Sequence, residues 1–238
     1  MGKKGGDSTL KRQLAPTFWN IRRKQSRFVL KASPGPHGKH NSYPLGIILR
    51  DVLKVATTMH EVKTIVSAGK VKVDGIARRN AKFPVGLMDV IDLTPTGQSY
   101  RLVPKDSKLL VHVEIKNSEN MVKLAKVTSK VTTNRGKLQY GFHDGKTMLS
   151  DQKLSVGDTC LIDFQNHTIK NIVRFEKGNL GLITSGDNAG SFGKIEDIKD
   201  GLFSLPKRAI LTLEHRSVEL PTEIVMTVGS DAPLIKVN

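Results

Sequence analysis

Between Leu45 and Ala56 the apolar residues Leu45, Ile48, Leu49, Val52, Leu53 and Ala56 fall at i, i+3, i+4, i+7, i+8 and i+11. That spacing predicts an amphipathic helix with one face to bury. Pro44 stands at its start, where a missing N–H costs nothing. Arg50 and Lys54 lie four apart on the opposite face. A second helix is predicted from Thr58, because Glu61 three residues on completes a capping box. Val62, Ile65 and Val66 form its buried side, and Gly69 ends it. Val71-Lys72-Val73 then alternates, Asp74-Gly75 turns, and Ile76-Ala77-Arg78-Arg79 leaves the turn. Val90-Ile91-Asp92-Leu93 is a further strand. Residues 43–95 thus read as helix, helix, hairpin and strand, a small α/β module.

From Tyr100 onward strand signals dominate. Candidates are Leu109–Ile115, Leu124–Val131, Leu138–Phe142, Cys160–Phe164 and Thr168–Val173. Asn134-Arg135-Gly136, Asp144-Gly145 and Gly157-Asp158 supply turns between them. A second β segment starts at Phe175. It holds Leu180–Ile183, a glycine-rich stretch ending at Gly193, Lys194-Ile195, and strands at Ala209–Leu213 and Ile224–Val228. No fixed-period repeat is present.

Residues 1–42 differ from the rest. They carry Lys3, Lys4, Lys11, Arg12, Arg22, Arg23, Lys24, Arg27, Lys31 and Lys39, with Asp7 as the one acid. Ser33-Pro34-Gly35-Pro36-His37-Gly38 excludes regular structure, since proline lacks a donor and glycine loosens the backbone. This segment has too little apolar surface to fold alone. It reads as a basic arm, with Phe18 and Trp19 placed either to stack on bases or to anchor the arm to the body.

The formal charge of the chain is +16. Such an excess suits nucleic acid, an anionic membrane surface or a solvated tail. Nucleic acid leads, because a polyphosphate releases counterions when many Lys and Arg bind it. A membrane reading needs a basic amphipathic helix with a wide apolar face or a lipidation signal; Gly2 is present, but position six is Gly6 instead of Ser or Thr. No apolar run reaches the length of a membrane span, and no secretory signal is expected at the N-terminus. The single cysteine, Cys160, excludes a disulfide framework within the chain and fits cytosolic residence.

Two groups of residues are the candidate RNA contacts. Arg22, Arg23, Lys24, Arg27, His37 and Lys39 belong to the arm, and Arg50, Lys54, Lys63, Lys70, Lys72, Arg78 and Arg79 to the module. The acids Asp51, Glu61 and Asp74 are too few to neutralise the second group. Phosphates converging at an RNA junction suit such a face.

Catalytic and metal signals are weak. Gly193-Lys194 is followed by Ile195, whereas a phosphate loop needs Ser or Thr there and a helix next. Two strands joined by a Gly- and Asn-rich turn account better for this stretch, and its tip can approach a nucleic-acid backbone closely. His37, His40, His60, His112, His143, His167 and His215 are scattered, and none pairs with a carboxylate at metal-ligand spacing. Cys160 reads as a small core residue, Asp158 and Asp163 as ordinary strand-end acids, and no Gly-x-Ser-x-Gly elbow occurs. No catalytic residue, metal or cofactor is expected.

Several motifs resemble the S-four-e family of small-subunit ribosomal proteins. They are Ala15-Pro16-Thr17-Phe18-Trp19, Ser33-Pro34-Gly35-Pro36-His37, Pro44-Leu45, Leu49–Leu53, Gly69–Gly75, Pro84–Val90, Gln139–Gly145 and Val156-Gly157-Asp158. The resemblance spans essentially the whole chain. It implies an α+β, multi-domain protein: a basic arm over 1–42, a ribosomal-type α/β RNA-binding module over 43–95, a central β domain over 96–174, and a KOW-type SH3-like barrel with C-terminal strands over 175–238. One departure is Ser191, where the family commonly has a basic residue after the glycine at position 190. The implied role is a non-enzymatic, cytoplasmic constituent of the small subunit. Its partners would be small-subunit ribosomal RNA and neighbouring ribosomal proteins, with no membrane and no small-molecule substrate. An RNA-modifying enzyme and a translation or transcription factor are the rivals, since the module occurs in the first and the KOW barrel in the second.

Overall fold

Apolar alternation from Val71 onward becomes three five-stranded antiparallel sheets in a computed structural model. The structure describes residues 9–22, 24, 26–106, 108–116, 119–133, 136–213 and 216–237. Arg23, His215 and the Asn134-Arg135 pair of one predicted turn lie outside them.

The module begins as its sequence predicts and then departs. Leu45–Ile47 is one α-helical turn, and Ile48–Val52 widens into a π-helical turn. The Leu53 N–H donates to the Ile48 carbonyl at 2.8 Å, and Lys54, with φ 54°, stops the helix short of Ala56. Leu45, Ile47, Ile48 and Leu49 are all fully buried, more than one 3.6-residue stripe provides. The extra residue of a π turn shifts the register so that both sets face the core. The N–H groups of Leu45 and Gly46 donate to the carbonyls of Phe83 and Ala81, both at 2.8 Å, satisfying donors a helix start leaves open.

The second helix, Met59–Ser67, has the predicted capping box: the Glu61 N–H donates to the Thr58 hydroxyl, and the Glu61 carboxylate accepts from the Thr58 N–H. Thr58→Ala is expected to cost about 1 kcal/mol, read as a lower urea midpoint with an unchanged denaturant slope. Gly69 ends this helix at φ 73°. Asp74 and Gly75 both take left-handed φ, 51° and 76°, as a two-residue hairpin turn requires.

The module sheet runs in the order Ile76–Ala77, Val71–Val73, Val90–Leu93, Gln98–Lys105 and Lys108–Ile115. The boundary expected at residue 95 therefore falls between two hydrogen-bonded neighbours of one sheet. The central sheet follows the order Thr147–Leu149, Leu138–Phe142, Val122–Thr132, Thr159–Asp163 and Thr168–Val173. The C-terminal sheet is ordered Ser217–Pro221, Arg208–Thr212, Phe192–Lys199, Leu180–Ile183 and Val225–Gly229. The glycine-rich stretch is the turn of an antiparallel hairpin, with Leu180 opposite Lys194. On its return leg a Cβ on Gly190 would lie 2.5 Å from the Lys105 Cα, so glycine there permits approach to the module sheet, whereas Gly186 at the turn faces open space. Met88, Val103, Leu124, Leu182, Met226 and Val228 form one apolar cluster to which all three sheets contribute.

The described part of the arm is anchored to the body. Trp19 is buried, stacks on Tyr43 at 5.9 Å and donates from Nε1 to the Ser42 carbonyl at 2.9 Å. Tyr43 donates in turn to the Phe18 carbonyl at 2.6 Å. Of the two roles left open for these aromatic residues, Trp19 takes the anchoring one. Leu10–Lys11 pairs with Phe28–Val29, and Leu10, Ala15 and Ile21 join the module core.

Candidate RNA-binding face

The second helix and the chain after the hairpin leave a groove of about 380 Å³ between them. Lys63 and His60 line one wall, Arg79 and Lys82 the other, with Thr64, Ser67 and Asn80 between. Lys63 and Arg79 are exposed. Glu61 is engaged in its cap and Asp51 with Arg50 at 2.9 Å. Asp74 is turned inward to Lys123 and Lys146, both at 2.8 Å. The module's few acids are thus withdrawn from this groove, and its cations form no ion pair among the described residues. In the arm, Lys11, Lys24 and Arg27 with Thr17 and Ser26 line a second basic concavity of about 930 Å³.

The structure divides the predicted residues. Arg22, Lys24 and Arg27 are exposed on the arm, and Lys39 is half-buried. Lys63 and Arg79 meet in the groove. Lys70 is exposed beside the helix end. Lys54 is exposed, but at the stop of the first helix instead of on its outer face. Lys72 lies across the strand pair from Asp92. Arg50 is ion-paired. Arg78 is half-buried, its guanidinium 4.3 Å from the centre of the Phe83 ring. Of the seven module cations, Arg50 alone forms an ion pair among the described residues, so the acids do not neutralise the group. His37 is the clearest displacement: it is buried, with Nε2 2.9 Å from the Asp89 carboxylate. Its ring packs where a Cβ on Gly86 would stand, 2.5 Å away. His60 and Lys82 are groove residues that sequence reasoning missed, because only the folded hairpin brings 79–82 to the helix.

An ionic cluster that the sequence does not announce joins the module to the central sheet. The ammonium of Lys123, on the first long central strand, is 2.8 Å from Asp74, 2.7 Å from Asp89 and 2.7 Å from Asp144. All four are buried. Burial pushes the Lys123 ammonium down, but the three carboxylates outweigh it and raise it above the ordinary lysine value. Burial pushes the Asp89 carboxyl up; Lys123 and His37, with the Gly86 N–H, overcome this and hold it well below the usual carboxylate range. His143 is half-buried beside the cluster. Burial, then the charge of Lys123, pushes it down to about 4. The neutral imidazole accepts from the Lys126 N–H at Nδ1, 3.2 Å, and so donates from Nε2 to the Leu87 carbonyl, 3.2 Å. The cluster ties the arm, the module and the central sheet together.

Models described as the RS4NT (NUC023) domain, the S4 domain and ribosomal family S4e match residues 4–40, 48–91 and 96–169. The small ribosomal subunit protein eS4 of Pyrobaculum islandicum is 41% identical over 237 residues, 96% of this chain and 98% of that one. The eS4 protein of Korarchaeum cryptofilum is 38% identical over 239 residues, covering all of both chains. The crystal structure of the 30S ribosomal protein S4e from Thermoplasma acidophilum superposes with a TM-score of 0.69 at 33% identity, covering 80% of this chain and 96% of that one. With relatives this similar across nearly their whole length, the chain belongs to the ribosomal S4e family.

Proposed function

We propose that this protein is a structural constituent of the small ribosomal subunit that binds small-subunit ribosomal RNA through two basic surfaces. One is the arm, with the concavity lined by Lys24 and Arg27 and with exposed Arg22 outside it; the other is the module groove with Lys63 and Arg79, with Lys70 exposed beside the helix end. The observation that carries this is the uneven pairing of charge. In the C-terminal sheet Lys177, Lys194, Lys199, Lys207 and Arg208 each face a carboxylate within 3.0 Å. In the groove the cations are left for phosphates. In this reading the protein catalyses no reaction, takes no cofactor and acts in the cytoplasm. The order of the C-terminal sheet, with the last strand beside the first, fits the KOW-type SH3-like barrel that the family resemblance implies.

The test is the salt dependence of binding to small-subunit ribosomal RNA. Lys63→Ala with Arg79→Ala should weaken binding and flatten the log–log salt slope by roughly 0.7 to 0.9 for each phosphate no longer neutralised. Arg79 is the better choice than its neighbour, since replacing Arg78 also removes packing on the Phe83 ring. An unchanged slope removes the groove from the interface. Co-sedimentation with small subunits at moderate salt separates a constituent from a cycling factor, and a uridine-isomerisation assay checks for modification chemistry.

A further inference from the structure

The hairpin that joins Phe192–Lys199 to Arg208–Thr212 runs on past the sheet's last pair, Lys199 opposite Arg208. Its tip is closed by reciprocal backbone bonds: the Leu202 N–H donates to Leu205 at 3.1 Å, and the Leu205 N–H donates back at 2.6 Å. Leu202 and Leu205 are exposed there, and Phe203 is fully so. Phe203 also takes φ 24°, a backbone region that residues other than glycine rarely adopt. A chain gains no stability of its own from presenting three large apolar side chains on a strained tip; such a tip marks a contact.

Charge decides the kind of contact. At the neck of the hairpin Lys207 faces Asp200 at 2.9 Å, Arg208 faces Glu219 at 2.9 Å and Lys199 faces Glu219 at 3.0 Å. The cations are spent on Asp200 in the hairpin and Glu219 on the adjacent strand, and these acids would stand against any phosphate that approached. Interface cores between proteins show the opposite preference, depleted in free charge and centred on an aromatic anchor. Resting on the ribosomal reading above, we infer that the Leu202-Phe203-Leu205 tip seats in an apolar pocket of a neighbouring small-subunit protein.

The test places a photocrosslinker at the tip of the full chain. Phe203→Cys is coupled to a benzophenone maleimide, exchanged into purified small subunits and irradiated. Cys160 is buried, and burial, then Asp158, pushes its thiol up to about 12, so the label goes to position 203. A crosslink to one neighbouring ribosomal protein is the expected result. A crosslink to ribosomal RNA, as a base stacked on the ring would give, overturns the proposal. So does a crosslink to a second copy, or none from a retained chain. Leu202→Ser with Phe203→Ser should release the crosslinked neighbour about ten-fold more readily in a salt wash, with RNA affinity of the isolated chain unchanged. Equal loss of RNA affinity also overturns it. A chain that fails to enter small subunits removes the ribosomal reading, and this proposal with it.

Discussion

Lys123→Met is expected to cost about 3 to 5 kcal/mol of folding stability, because it leaves Asp74, Asp89 and Asp144 buried around a missing ammonium. Methionine keeps the length of the stem, so the loss comes from charge and not from a cavity. Without the ammonium, burial raises the carboxyls, and the folded state takes up protons that the unfolded chain does not. The penalty should therefore shrink as pH falls toward 4, a direction opposite to ordinary acid denaturation. Adding Asp144→Asn should recover part of the loss at neutral pH. Guanidinium unfolding of the three proteins at pH 7 and pH 5 reads all of this. A cost under about 1 kcal/mol would show that the cluster tolerates uncompensated charge, contrary to its burial.

The second large effect is acid sensitivity from His143. Its imidazole is held neutral until about pH 4 in the folded protein, whereas an unfolded histidine protonates near 6.5. Between those values the unfolded state binds the extra proton, so stability is complete above about pH 6.5 and falls as pH drops through the window. The loss is on the order of 3 kcal/mol by pH 4. Below that, the depressed carboxyl of Asp89 continues in the same direction, since its contribution is present above the unfolded carboxyl value and lost as pH falls. His143→Gln keeps a donor for the Leu87 carbonyl and an acceptor for the Lys126 N–H without titrating. The difference between the two stability curves from pH 7 to 4 isolates the histidine; coincident slopes would clear His143 of the effect.

Local signals were legible where local physics decides. The capping box at Thr58, the stop at Gly69, the Asp74-Gly75 turn and the strands Val90–Leu93, Leu138–Phe142 and Thr168–Val173 need only neighbouring residues, and the structure has them. Long-range compensation was not legible. The strand Gln98–Lys105 is hidden because Arg101 and Pro104 interrupt its apolar run. Yet Arg101 is fully buried, its guanidinium donating to carbonyls of Glu119, Val122 and Lys236 at 2.9 to 3.1 Å. Lys123 falls just outside the predicted strand Leu124–Val131, and nothing near it in sequence points to the three distant aspartates that surround it. His37 reads as an exposed loop residue for the same reason. The short motifs that carried the family resemblance meet in space: Asp74, Asp89 and Asp144 come from three of them and close on one lysine, and His37, from a fourth, bonds to Asp89. The groove was half legible, with Lys63 and Arg79 foreseen and His60 and Lys82 supplied by the hairpin's fold-back.

The ionic cluster also sets an order on how the chain can mature as it is made. Synthesis delivers His37, Asp74 and Asp89 first, and Lys123 and Asp144 only later. Until the first central strand arrives, the inner side of the module holds two acids that favour water over burial. Before then Asp74 and Asp89 have only the backbone N–H groups of Val90 and Gly86 and the His37 ring as partners, and their ion pairs wait on Lys123. The joint between module and central sheet is thus sealed by the residues of the cluster that the ribosome delivers last, Lys123 and Asp144.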